Sequence, residues 1–124
     1  MHKLTILAAL LLAALLPGVA PARDNPGMIK TGRCSNGASW KLKAKHDDAR
    51  LEVEFEVDQN VNGRRWNVVL KRDGAVVFRG VRITRPPSGS FEVNRRIADP
   101  AGADRIVATA RAAAGGTCRA ALSV

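Results

Sequence analysis

A chain of 124 residues, 46% hydrophobic and 25% charged, with a formal net charge of +9 and two cysteines, has room for one small domain whose apolar core is adequate but not generous. Two cysteines permit a single disulfide, and without a Cys-x-x-Cys spacing or a neighbouring histidine pair they give no support to a thiol metal site or a redox pair. The positive charge points to polyanions as partners, with an ordinary solvated surface in an arginine-rich chain as the plainer alternative.

The chain opens with the marks of an export signal. His2 and Lys3 form a short basic start, Leu4 to Leu16 an apolar run too short to span a bilayer, and Ala20-Pro21-Ala22 a small-x-small cleavage site. Residues 1–22 are therefore expected to be a signal peptide with a helical core. No later segment is apolar enough to span a membrane. The expected location is secreted or extracellular, where Cys34 and Cys118 meet oxidising conditions and pair as a staple between the first and last strands. Residues 23–31 mix Pro, Gly, Asp and Asn without periodicity and read as a flexible leader. Residues 32–124 are expected to be the folded domain.

From Trp40 onward the pattern has period two. Trp40, Leu42 and Ala44 alternate with Lys41, Lys43 and Lys45, and Leu51, Val53, Phe55 and Val57 alternate with Glu52, Glu54 and Glu56. Pairing Lys45 with Glu52, Lys43 with Glu54 and Lys41 with Glu56 also sets Ala44 against Val53, Leu42 against Phe55 and Trp40 against Val57. One register satisfies both faces, and a one-residue slip ruins both. Exposed Lys-Glu pairs contribute only a few tenths of a kcal/mol each, so they serve register and solubility more than stability.

A second hairpin points Trp66, Val68 and Leu70 one way and returns Val76, Phe78 and Gly80 on the same face, through an expected three-residue loop Arg72-Asp73-Gly74. Phe91 and Val93 mark another strand after Arg85-Pro86-Pro87-Ser88-Gly89. A last pair sets Ile106, Ala108 and Ala110 against Leu122, Ala120 and Cys118. With a short edge strand near Cys34 and no helix beyond the signal, the expected fold is all-β. It is a two-sheet sandwich of about seven antiparallel strands, of the immunoglobulin or fibronectin type III kind.

The domain resembles a group of small secreted proteins of high-GC Gram-positive bacteria, through Cys34, Trp40-Lys41-Leu42, Glu54-Phe55-Glu56-Val57-Asp58, Gly63 with Trp66, Val77-Phe78-Arg79-Gly80, Pro87-Ser88-Gly89-Ser90-Phe91, Ala101-Gly102-Ala103-Asp104 and Cys118-Arg119. The resemblance implies a secreted sandwich with one disulfide and implies no activity.

Candidate chemistry is sparse. Asp58, Asn60, Asn62 and Gly63 match the first half of a calcium loop, but Val69 stands where the bidentate glutamate belongs, and Arg64 and Arg65 oppose a divalent cation. An inter-strand turn held by Asp and Asn side chains is the alternative. His46 beside Asp47 and Asp48 is too few ligands for zinc. Ser88 and Ser90 lack a nucleophile elbow, and an enzyme would need carboxylates such as Asp58 and Asp104 to meet in a pocket. No enzyme activity and no cofactor are expected.

On the outward face of the second hairpin, Arg65, Asn67, Val69 and Lys71 lie opposite Ala75, Val77, Arg79 and Val81. Arg82 and Arg85 are expected to widen this into a basic surface, with Arg95 and Arg96 near in sequence. The leading expectation is a monomeric, non-enzymatic binding or structural protein whose basic face, Arg65, Lys71, Arg79, Arg82 and Arg85, meets an anionic cell-envelope polymer. Sequence-specific nucleic-acid modules are lacking. The alternative is a secreted protease or hydrolase inhibitor presenting the Arg85–Gly89 loop, with a secreted protein as partner.

Overall fold

Each alternating segment of the sequence is a strand. The computed structural model describes residues 27–99 and 102–124, which form β1 (Met28–Arg33), β2 (Ser39–Asp47), β3 (Arg50–Asp58), β4 (Arg65–Arg72), β5 (Ala75–Ile83), β6 (Ser90–Ala98), β7 (Arg105–Ala112) and β8 (Thr117–Ser123). The first sheet has the order β1-β2-β3-β6 and the second β5-β4-β7-β8, all neighbours antiparallel. The fold is thus the expected all-β sandwich. Among the described residues no helix is long and apolar enough to cross a membrane.

β1 is the short edge strand expected near Cys34, and the described residues form eight strands against the expected count of about seven. This edge strand starts earlier than expected: residues 28–31 of the stretch 23–31, expected to be a flexible leader, belong to β1, which pairs Met28 with Ala44 and Arg33 with Ser39. Its apolar residues gave no signal because they are not buried; Met28 is 43% and Ile29 50% exposed. An edge strand of this kind is held by its backbone ladder rather than by a buried face. The expected signal peptide over 1–22 and the leader's residues 23–26 lie outside the described residues.

The β2–β3 hairpin has the register that charge and hydrophobicity predict, from Lys41 opposite Glu56 to Lys45 opposite Glu52. Its inner face supplies Leu42, Ala44, Leu51, Val53, Phe55 and Val57, all fully buried. Trp66, Val68, Leu70, Ile106, Ala108, Ala110 and Ala120 meet them from the second sheet. Phe91 of β6 packs against both Phe55 (6.3 Å between centroids) and Trp66 (5.9 Å). The Trp66 indole N–H donates to Gln59 Oε1 at 3.0 Å, so the largest buried side chain leaves no unpaired donor.

The second hairpin departs from expectation at its turn. Arg72 pairs with Ala75, leaving a two-residue Asp73-Gly74 loop, both at positive φ (47° and 84°), as a type I′ turn requires. An irregularity at Leu70/Lys71 then sets Leu70 opposite Phe78 and Lys71 opposite Val76. The extra residue, Val77, packs against the core, whereas Val76, expected inside, is 46% exposed. The bulge restores Phe78 to the inner face after the shorter turn.

Cys34 and Cys118 form the expected disulfide, with Cα atoms 4.3 Å apart, both residues buried and a sequence separation of 84. It joins the segment after β1 to β8 and therefore closes one flank between the two sheets. Ser35 N donating to Thr117 O (3.0 Å) and Thr117 N donating to Ser35 Oγ (2.9 Å) reinforce that closure.

Candidate functional site

The outer faces of the two sheets differ in charge. On the first sheet, cations and carboxylates neutralise one another: Lys45–Glu52 (3.5 Å), Lys41–Glu54 (3.8 Å), Lys41–Glu56 (4.0 Å) and Arg96–Asp47 (3.2 Å). Glu54, Glu56 and Glu92 converge there, but the first two share Lys41 and Glu92 accepts a hydrogen bond from Asn94. On the second sheet, none of β5, β4, β7 or β8 contains Asp or Glu.

The outward positions of that second sheet carry Arg65 and Lys71 on β4, Arg79 on β5, Arg105 and Arg111 on β7 and Arg119 on β8, all exposed. The register sets Arg79 beside Val69, Val69 beside Thr109 and Thr109 beside Arg119. One row along, Val81, Asn67, Arg111 and Thr117 lie abreast. Asn67, Val69, Lys71, Arg79, Thr109 and Arg111 surround a shallow depression of about 350 Å3, with Val69 and Thr109 half-buried between the cations. Exposed like charges held on a rigid sheet repel one another, and a multivalent anion relieves that repulsion.

Of the five basic residues singled out in sequence, Arg65, Lys71 and Arg79 share this face and Arg82 and Arg85 do not. Arg82 stands opposite Trp66, whose side chain is buried, so alternation turns Arg82 toward the inner side. Its guanidinium lies 4.9 Å from the Phe78 ring centroid, and Arg95 of β6 lies 4.4 Å from the same ring. Arg85 lies beyond β5 and bridges Ser90. Arg82 and Arg85, with Glu56, Val81, Ile83, Phe91 and Glu92, line an open groove of about 480 Å3 between β5 and β6. Arg105, Arg111 and Arg119 were missed, although each alternates with buried Ile106, Ala110 and Cys118. Their common face depends on the β4–β7 pairing, which joins segments far apart in sequence.

The Arg85–Gly89 loop is closed rather than extended. Arg85 N donates to Ser90 O (2.9 Å), Gly89 N and Ser90 N donate to Arg85 O (2.9 and 3.2 Å), and Gln59 N donates to Gly89 O (3.1 Å). Gly89 has φ 67°, and a Cβ there would overlap the Val61 backbone, so the loop is seated on residues 59–61.

The Asp58–Gly63 segment is an inter-strand turn in which Asp58 Oδ1 accepts from Asn60 N at 2.9 Å. Thr84 fastens its far end: the hydroxyl donates to Val61 O (2.5 Å) and accepts from Arg64 N (2.9 Å).

Asp104 meets Asp99, not Asp58. Asp58 pairs with Ser90 at one end of β3, and Asp99 follows Ala98, which pairs with Arg50 at the other. Asp99 also takes the hydrogen bond of His46, and Arg72 donates to Ala98 O. Asp104 is 2% exposed; burial first, then hydrogen bonding and charge from Asp99, push its pKa up. His46 holds that of Asp99 down, chiefly through the hydrogen bond. Asp99 Oδ1 and Asp104 Oδ2 are both buried without a partner. The raised pKa favours a proton on Asp104, and that proton would let the two carboxyls pair.

No protein-family model matches the chain, and no curated protein is similar to it.

Proposed function

We propose that this protein is an exported, monomeric, non-enzymatic binding protein whose second sheet takes an anionic polymer, with a cell-envelope polymer as the first candidate. The supporting observation is the acid-free outer face carrying Arg65, Lys71, Arg79, Arg105, Arg111 and Arg119, on a molecule whose other face is charge-neutralised. The buried disulfide is compatible with the oxidising surroundings of an exported protein. The mechanism is electrostatic. A flexible polyanion lying across the strands meets cations on neighbouring strands, spaced by multiples of about 4.8 Å, and no carboxylate of that sheet repels it. The face presents no aromatic side chain for base stacking, which favours a backbone-charge partner over single-stranded nucleic acid.

The test is retention of the oxidised protein on isolated envelope and on immobilised polyglycerol phosphate. Retention is expected to fall steeply between about 0.05 and 0.5 M salt, as the screening length contracts to a few ångströms. The double variant Lys71→Glu, Arg111→Glu should abolish it, and Arg82→Glu, off this face, should leave it nearly unchanged. Salt-independent retention, or an indifferent double variant, would overturn the proposal.

A further inference from the structure

The disulfide closes one flank of the sandwich, and the other flank is open. There the edges of β5 and β6 face each other across the 480 Å3 groove. β5 has β4 on one side and no strand on the other. Because Thr84 N bonds Arg64 O, antiparallel alternation aims the backbones of Gly80 and Arg82 at β4 and those of Arg79, Val81 and Ile83 away from the sheet. The Val81 carbonyl is indeed outside the ladder, since Arg82 Nη1 donates to it at 3.0 Å. Across the groove Arg95 Nη1 donates in the same way to Asn94 O of β6 at 3.1 Å. The two guanidinium groups that cap these free edges converge on Phe78. Beside them Val81 is 39% and Ile83 48% exposed.

We infer that the free edge of β5 docks an extended acidic peptide segment as a fifth strand of the second sheet. Strand addition satisfies the outward N–H and C=O groups of Arg79, Val81 and Ile83, and side-chain alternation divides the incoming segment into two faces. Carboxylates on the groove side take the donors of Arg82 and Arg95, which releases Val81 O to accept a peptide N–H. Apolar side chains on the other side cover Val81 and Ile83. Charge selects this occupant: β5 has no carboxylate, and of the two acids in the groove Glu56 is held by Lys41 and Glu92 by Asn94. A second copy of β5 brings the same arginines and no carboxylate to meet them. The edges of β1 and β8 lie on the flank that the disulfide closes, and the start of β6 is covered by the Arg85–Ser90 bridge.

The probe is a peptide of alternating Glu and Val, with its Lys-Val counterpart as control, titrated into the oxidised protein and followed by amide hydrogen exchange. The Glu-Val peptide is expected to bind and to protect the amides of Val81 and Ile83. Val81→Pro removes an N–H aimed at solvent and keeps the ladder to β4, so it should fold and weaken binding at least about ten-fold. Arg95→Glu, on an exposed position of the facing edge, should weaken it as well. Lys71→Glu, Arg111→Glu should lose the polymer and keep the peptide, which separates failure of this inference from failure of the polymer reading. No binding, equal binding by the Lys-Val peptide or by Val81→Pro, or protection away from β5 would overturn the inference. So would dimerisation of the free protein that Val81→Pro abolishes, which would assign the edge to a second copy.

Discussion

Asp99 and Asp104 show how two identical side chains, close in sequence and in contact, acquire opposite acidities. Asp104 is held above its ordinary value of 3.8 by burial and by Asp99, and Asp99 is held below it by His46. The stabilisation tied to the Asp104 proton is fully present below 3.8 and is lost as pH rises through the raised folded value; that tied to ionised Asp99 is present above 3.8 and is lost as pH falls through the lowered one. Asp104→Asn keeps a donor toward Asp99 and removes the first ionisation. Thermal melts across pH 3 to 7 should then lose the decline on the neutral side and keep the acid-side loss; a wild-type profile in the variant would contradict the shared proton. His46 stands beside Asp47 and Asp48 in sequence, but its partner in space is Asp99, 53 residues away. A contact of that separation leaves no local pattern.

At the scale of elements, the β2–β3 hairpin was legible in full because two independent signals, Lys-Glu complementarity on one face and apolar alternation on the other, demand the same register. The β4–β5 hairpin was legible in its strands but not in its turn, since a two-residue loop with a bulge and a three-residue loop return the same residues inward by Phe78. The β3–β4 connection depends on Thr84, which is 1% exposed and ties Val61, Gly63 and Arg64 to the end of β5. Thr84→Val keeps the shape and leaves Val61 O and Arg64 N without the hydroxyl, an expected loss of about 1–3 kcal/mol. Urea unfolding should show a lower midpoint with an unchanged slope, and Thr84→Ser should recover most of the loss.

At the scale of the molecule, the disulfide closes a loop with a sequence separation of 84, for which chain entropy gives up to about 4–5 kcal/mol. Reduction, or Cys34→Ala with Cys118→Ala, should lower the urea midpoint strongly. Retention on polyanion should survive wherever the variant remains folded, because the cations lie on strands rather than on the staple. The sequence by itself determined the strands, the inner and outer positions of most of them, the first hairpin's register and the pairing of its two cysteines, since alternation, charge complementarity and cysteine count are all local or enumerable. Only the tertiary structure decided which cations share a face. It added Arg105, Arg111 and Arg119 through the β4–β7 pairing and turned Arg82 toward Phe78 and Arg95. It also decided how far β1 reaches into the expected leader, that Asp104 meets Asp99, and that one flank of the sandwich stays open. Each of these rests on backbone pairing or packing between distant segments, which no spacing along the chain records.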